Sequence, residues 1–195
     1  LTIPKKVHLI TEGRTDSLII NHAFLVLTEK SEPYWNIESV ETKLGKKSGG
    51  AHELSKYLLY LSKNIKTDYD VENIVIGVFD NDSKGFQEFN GLPSDFELIN
   101  PIIKKHKDFP LYALLLPIPD EEYYKNYHQE RQNLKYFEIE HYFPLKLLQD
   151  NDMLIDLPID SVYEIKDKKT DFEKNVSQKG MEEKAFKCIG EEALF

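Results

Sequence analysis

Two strand-length apolar runs, VHLIT (7–11) and NIVIGVF (73–79), each end at an acid, and a helical pattern follows the first of them. Short apolar runs of this kind read as buried strands. After VHLIT comes EGRT, and then DSLIINHAFLVLTEK, where Leu18, Ile19, Ala23, Leu25 and Val26 recur near the helical period. Thr15 or Asp16 is the expected N-cap. NIESVET (36–42) reads as a weaker strand, and LGKKSGG as a loop. Ser48 or Gly49 leads into AHELSKYLLYLSKNI, an amphipathic helix with Leu54, Tyr57, Leu58 and Leu61 on one face. ENIVIGVFD (72–80) is the strongest strand, residues 94–106 read as a third helix, and LYALLLP (111–117) as another buried strand.

Strands alternating with helices imply an α/β fold of Rossmann-like type, with a central, mainly parallel sheet flanked by helices. That domain is expected over residues 1–149, with a mixed, helical C-terminal extension over 150–195. Within it, the polar, Tyr-rich stretch from 118 to 143 reads as a long loop or lid. Short helices are expected at PLKLLQ (144–149) and at 180–194.

In open α/β sheets, ligands sit beyond the carboxyl ends of the strands. VHLIT ends at Glu12, and NIVIGVF ends at Asp80 followed by Asp82. Residues two apart on an extended backbone point the same way, and Asp16 lies one helical turn beyond Glu12. Either piece alone is an ordinary cap or turn. Together they gather carboxylates that repel unless a cation neutralises them, and oxygen-only ligands suit Mg²⁺ or Mn²⁺.

Composition narrows the setting. Hydrophobic residues make up 41% of the 195, and 11 Phe and 11 Tyr can fill a sizeable core. The single Cys188 excludes a disulfide framework and fits a reducing, cytoplasmic environment. No run approaches membrane-spanning length and no signal-peptide pattern opens the chain. It begins on Leu1, as a fragment or processed chain would. A net charge of −9 is unusual for a nucleic-acid binder, unless bound cations screen the acids and lysines cluster locally.

EGRTD after a first strand and DND after a later one resemble the Toprim domain of topoisomerases, bacterial primases and the OLD (overcoming lysogenization defect) nucleases. The resemblance covers roughly residues 5–145. The EGxTD form, SGGAHELSKYL and EIEHYFP bring it nearest the OLD-like nucleases, including subunits of anti-phage systems. It implies that Glu12, Asp16, Asp80 and Asp82 hold one or two divalent ions, with Glu138 or Glu140 completing the set. If EIE is extended, both glutamates can point inward. It also implies a catalytic lysine, for which Lys179 and Lys184 are the candidates, and a partner ATPase. No GxxxxGK[ST] loop occurs, so that ATPase lies outside this chain.

The implied chemistry is phosphodiester hydrolysis with two metal ions, on DNA rather than RNA. Arg14 at the site mouth can contact phosphate, and SGGA (48–51), with Lys46 and Lys47 beside it, offers helix N–H groups to an anion. Tyr123, Tyr124, Tyr127 and Tyr136 can stack on bases. His141 lies beside Glu140, but the histidines share no zinc-ligand spacing. A ribonuclease on the same fold and a non-catalytic binding module are the rival expectations.

Overall fold

The structure is a computed structural model that describes residues 6–28, 32–45, 49–65, 73–118, 137–157 and 162–165. The chain forms two compact units, residues 1–17 with 32–117, and residues 18–31 with 118–195.

The first unit is built on a six-stranded mixed sheet. In chain order its elements are β1 (Val7–Thr11), the start of helix α1 (Arg14–Thr28), β2 (Trp35–Ser39), α2 (Val40–Leu44), α3 (Ala51–Asn64) and β3 (Ile74–Phe79). Then follow α4 (Ser83–Asn90), β4 (Phe96–Asn100), β5 (Ile103–His106) and β6 (Leu111–Leu115). The spatial order is β2-β1-β3-β6-β5-β4. The four strands β2, β1, β3 and β6 run parallel, and β5 and β4 are added antiparallel at one side. The expected α/β class with a mainly parallel sheet is therefore present.

This order fixes where a site can form. From β1 the chain moves outward to β2, whereas from β3 it moves the opposite way, towards β6. The boundary between β1 and β3 is thus a switch point, where the two onward connections diverge and leave a crevice.

Packing follows from the apolar runs. Leu54 and Leu58 of α3 are fully buried and press on the sheet, where a Cβ at Gly77 of β3 would lie 2.8 Å from Leu58 Cδ1. Phe79 at the end of β3 and Phe89 of α4 are both fully buried, their rings edge-to-face at 6.4 Å. Lys104 is buried too, its Nζ donating to the Asn90 carbonyl at the end of α4 and lying 5.1 Å from the Phe89 ring centre.

Two expected elements differ from the structure. Residues 94–106 form the β4–β5 hairpin instead of a helix. Asn100 Oδ1 accepts from the Ile102 N–H (3.0 Å), setting a turn around Pro101, and burial alternates along β5, with Lys104 and His106 inside and Lys105 outside. NIESVET splits at Ser39, whose hydroxyl accepts from the Thr42 N–H (3.2 Å) and caps α2, so VET is helical.

In the second unit, α1 continues from Leu18, and a 3-10 turn covers Ile139–Tyr142. Helix α5 (Leu145–Asp150) matches the expectation from PLKLLQ. Strands β7 (Leu154–Leu157) and β8 (Val162–Ile165) form an antiparallel pair. The helix expected at 180–194 lies outside the described residues. Among the described residues, no helix is long and apolar enough to cross a membrane.

Candidate active site at the carboxyl edge of the sheet

Strand β1 ends because Thr11, fully buried, turns the chain: its hydroxyl donates to the Gly13 carbonyl at 2.8 Å. Helix α1 then starts at Arg14, earlier than a Thr15 or Asp16 cap implies. Asp16 acts from inside the first turn, its Oδ2 accepting the Gly13 N–H at 2.8 Å. This is the reaching-back half of a capping box, and a carboxylate there suits the positive end of the helix dipole.

Asp80 follows β3, and Asn81 ties the link to β6 by donating from Nδ2 to the Leu116 carbonyl at 3.1 Å. Asp82 is the N-cap of α4, with extended backbone, and its Oδ1 accepts the Gly85 N–H at 2.6 Å. Glycine is required at 85 in the first turn of α4, since a Cβ would stand 2.0 Å from the Asp80 carbonyl oxygen.

The two strand ends meet through the backbone. Thr11 pairs with Val78, which brings Glu12 beside the end of β3. Glu12 Oε1 accepts the Asp80 N–H at 3.0 Å, and the Ala51 N–H also donates to this carboxylate. The Gly50 N–H donates to the Glu12 carbonyl at 3.0 Å. Gly49 passes so close that a Cβ there would lie 2.2 Å from the Glu12 carbonyl oxygen. Gly50 itself has a φ of 101°, in the region that favours glycine.

These contacts correct one expectation. The helix start in SGGA is an expected anion dock, but the Gly50 and Ala51 N–H groups already serve Glu12. The head of α3 is occupied by the chain's own Glu12 carboxyl. Burial pushes the Glu12 carboxyl up to about 8, the negative charges of Asp82 and then Asp16 add to the rise, and the N–H groups of Asp80 and Ala51 oppose it.

At the carboxyl ends of β1 and β3, Glu12 thus meets the Asp80 backbone and feels the charges of Asp82 and Asp16. Glu12, Asp16 and Asp82 each commit a carboxylate oxygen to a backbone N–H. Among the described residues, no three His, Cys, Asp or Glu side chains stand as a ready-made metal-binding group. The donors are hard oxygens throughout, suited to Mg²⁺ or Mn²⁺ rather than to zinc.

Glu138 and Glu140 fall in the second unit. Their segment is not extended: Glu138 caps the 3-10 turn by accepting the His141 N–H, and His141 Nδ1 accepts the Glu138 N–H at 3.0 Å. That reciprocal pair stabilises a turn over a strand and gives His141 a structural part. Glu140 is buried at 4% exposure. Lys179, Lys184, Lys46, Lys47 and the tyrosines at 123, 124, 127 and 136 lie outside the described residues.

Sequence reasoning missed Glu41. It lies in the first turn of α2, 3.2 Å from Arg14 Nε through Oε2, and its Cγ packs against Gly49. The Ser39 cap signals the helix, but nothing local signals that Glu41 faces the β1 loop.

A separate cavity of about 320 Å³ lies beneath the last turns of α3, over the register row His8, Val75 and Leu111. Its lysine, Lys43, is held by Glu38 at 2.9 Å. Four residues of strand, roughly 13 Å, separate His8 from Glu12, so this cavity does not contain the acids. Compared with known proteins, the chain matches no family model, no curated protein and no solved structure.

Proposed function

We propose that the chain is a Toprim-type, divalent-metal-dependent nuclease that hydrolyses phosphodiester bonds in DNA, similar to the OLD nucleases. One observation carries this reading. Glu12 and Asp80 end adjacent parallel strands at the switch point of the sheet, joined by the Asp80 N–H on the Glu12 carboxylate. Asp82 and Asp16 add charge to a carboxyl already raised by burial, and a cation would relieve that repulsion.

In this reading Glu12, Asp80 and Asp82 hold Mg²⁺ or Mn²⁺, and Asp16 supports them. When bound, two such ions supply Lewis-acid activation of water and charge neutralisation at the phosphate. The chain's own part is orientation. Backbone N–H groups hold one oxygen each of Glu12, Asp16 and Asp82, which restrains the three side chains. The resemblance also names Glu140 and a lysine, Lys179 or Lys184, together with an ATPase partner.

The test is cleavage of supercoiled plasmid and of a structured RNA with Mg²⁺ or Mn²⁺, beside Asp80→Ala. We expect DNA cutting that is lost in Asp80→Ala, and weakened in Glu140→Gln and Lys179→Ala. Cutting of RNA alone would replace DNA by RNA as substrate. Cutting that survives Asp80→Ala sinks the proposed site.

The same hydrogen bonds favour a second reading, since they give Asp16 and Asp82 ordinary capping work and Glu12 a loop contact. A non-catalytic module would bind metal by calorimetry without turnover, even when its ATPase partner is added.

A further inference from the structure

Arg14 stands at the end of a helix where a cation is least at home. It is the first residue of α1, where the helix dipole disfavours positive charge. Its guanidinium meets Glu41 Oε2 at 3.2 Å through Nε, and its side chain is 67% exposed while that of Glu41 is 23% exposed. Glu41 is itself well fixed. The Ser39 cap sets the turn that carries it, and the first turn of α2 suits its negative charge. Gly49, held close by the Gly50 N–H bond to the Glu12 carbonyl, leaves no room beside it: a Cβ at 49 would lie 2.7 Å from Glu41 Cγ.

An exposed arginine is thus held by its inner edge, between Glu12 and Asp16 in the sequence, with its outer face towards solvent. A guanidinium presents a planar fork of donors that matches phosphate, and fixing one edge reduces what the rest must lose on binding. We propose that Arg14 is the phosphate-backbone contact of this site and that Glu41 is its positioning residue. This rests on the nucleic-acid reading above and adds to it the group that receives the polymer.

The sign of one substitution separates positioning from simple charge. Removing an acid near a polyanion strengthens binding when the acid merely repels it, but weakens binding when the acid orients the contacting arginine. Binding of a fluorescein-labelled DNA duplex by the whole chain, with calcium present, is read as a function of salt. Arg14→Ala is expected to make the log–log salt slope shallower by about 1. Arg14→Lys restores the slope but not the full affinity, because lysine lacks the fork. Glu41→Gln is expected to weaken binding about two- to fivefold, the scale of an exposed ion pair, with no further loss in the Arg14→Ala background. The side-chain Nε–H signal of Arg14 in nitrogen-15 spectra shifts on Glu41→Gln and again on adding duplex.

Tighter binding by Glu41→Gln, or an unchanged slope in Arg14→Ala, overturns the proposal. Plasmid cleavage by the same variants keeps the two readings apart. A chain that cuts but is indifferent to Arg14 and Glu41 retains the nuclease and loses this contact. One that binds through Arg14 and never cuts retains the contact and loses the nuclease. One that does neither loses both.

Discussion

Glu12 carries more of the site than any other residue, because its carbonyl and its carboxylate both accept backbone N–H groups. Its carboxyl is raised from 4.5 to about 8, so the folded state prefers it protonated. For a raised acid, the stabilisation is complete below the unfolded value near 4.5 and is lost as pH climbs through about 8. Glu12→Gln keeps an acceptor for the Asp80 N–H and has no proton to lose. In chelator, the variant should match the wild type near pH ~4 and exceed it by at most a few kcal/mol near pH ~9, read by urea unfolding. A variant weaker at every pH would mean that the ionised carboxylate, anchored by N–H groups, is the stable form. The position of Glu12 was legible in the sequence, because an acid directly after a buried run is a local signal. Its partners were not. The N–H groups of Gly50 and Ala51 lie nearly forty residues away, and no period or composition links them to position 12.

Among the elements, α4 shows how a short helix escapes a pattern search and still builds the site. SKGFQEFN carries too few apolar residues for a clear helical period, yet Asp82 caps it through the Gly85 N–H at 2.6 Å. This cap separates structure from chemistry. Asp82→Asn keeps an N-cap acceptor and should cost little stability, whereas Asp82→Ala should cost about 1 kcal/mol by thermal or urea unfolding. Both should abolish metal-dependent cleavage, since each removes the charge. Activity retained in Asp82→Asn would reduce Asp82 to a cap. Residues 94–106 depart from their helical pattern for a related reason. Its apolar residues Phe96, Leu98, Ile99, Ile102 and Ile103 fit a helical spacing, but Asn100–Pro101 makes a turn and tertiary pairing with β6 selects the strand. Strands β1, β3 and β6 were legible because strands buried in a parallel sheet are continuous apolar runs.

For the molecule as a whole, the first unit brings together acids that folding alone leaves in mutual repulsion. Binding of a cation to the native state alone raises stability by mass action. Mn²⁺ or Mg²⁺ should therefore raise the melting temperature, and more so at pH ~8 than at pH ~5, because protons compete for Glu12 at the lower pH. Chelator should reverse the shift, and Asp80→Ala should remove it. An equal shift in Asp80→Ala would place the cation elsewhere. The α/β class followed from the order of apolar runs and helical patterns. The antiparallel addition of β4 and β5 did not, since strand direction depends on pairings that the sequence does not write locally.

The close passage of Gly49 against Glu12, and of Gly85 against Asp80, has a consequence for how such a sequence can change over time. Three acids are aimed by main-chain N–H groups, which every non-proline residue supplies whatever its side chain. The other neighbours of the site are therefore free to drift, while the acids and the glycines at 49, 50 and 85 are not. A lineage under this constraint keeps a handful of scattered letters and rewrites the rest. Its members would share a crevice long after they had ceased to share a recognisable sequence.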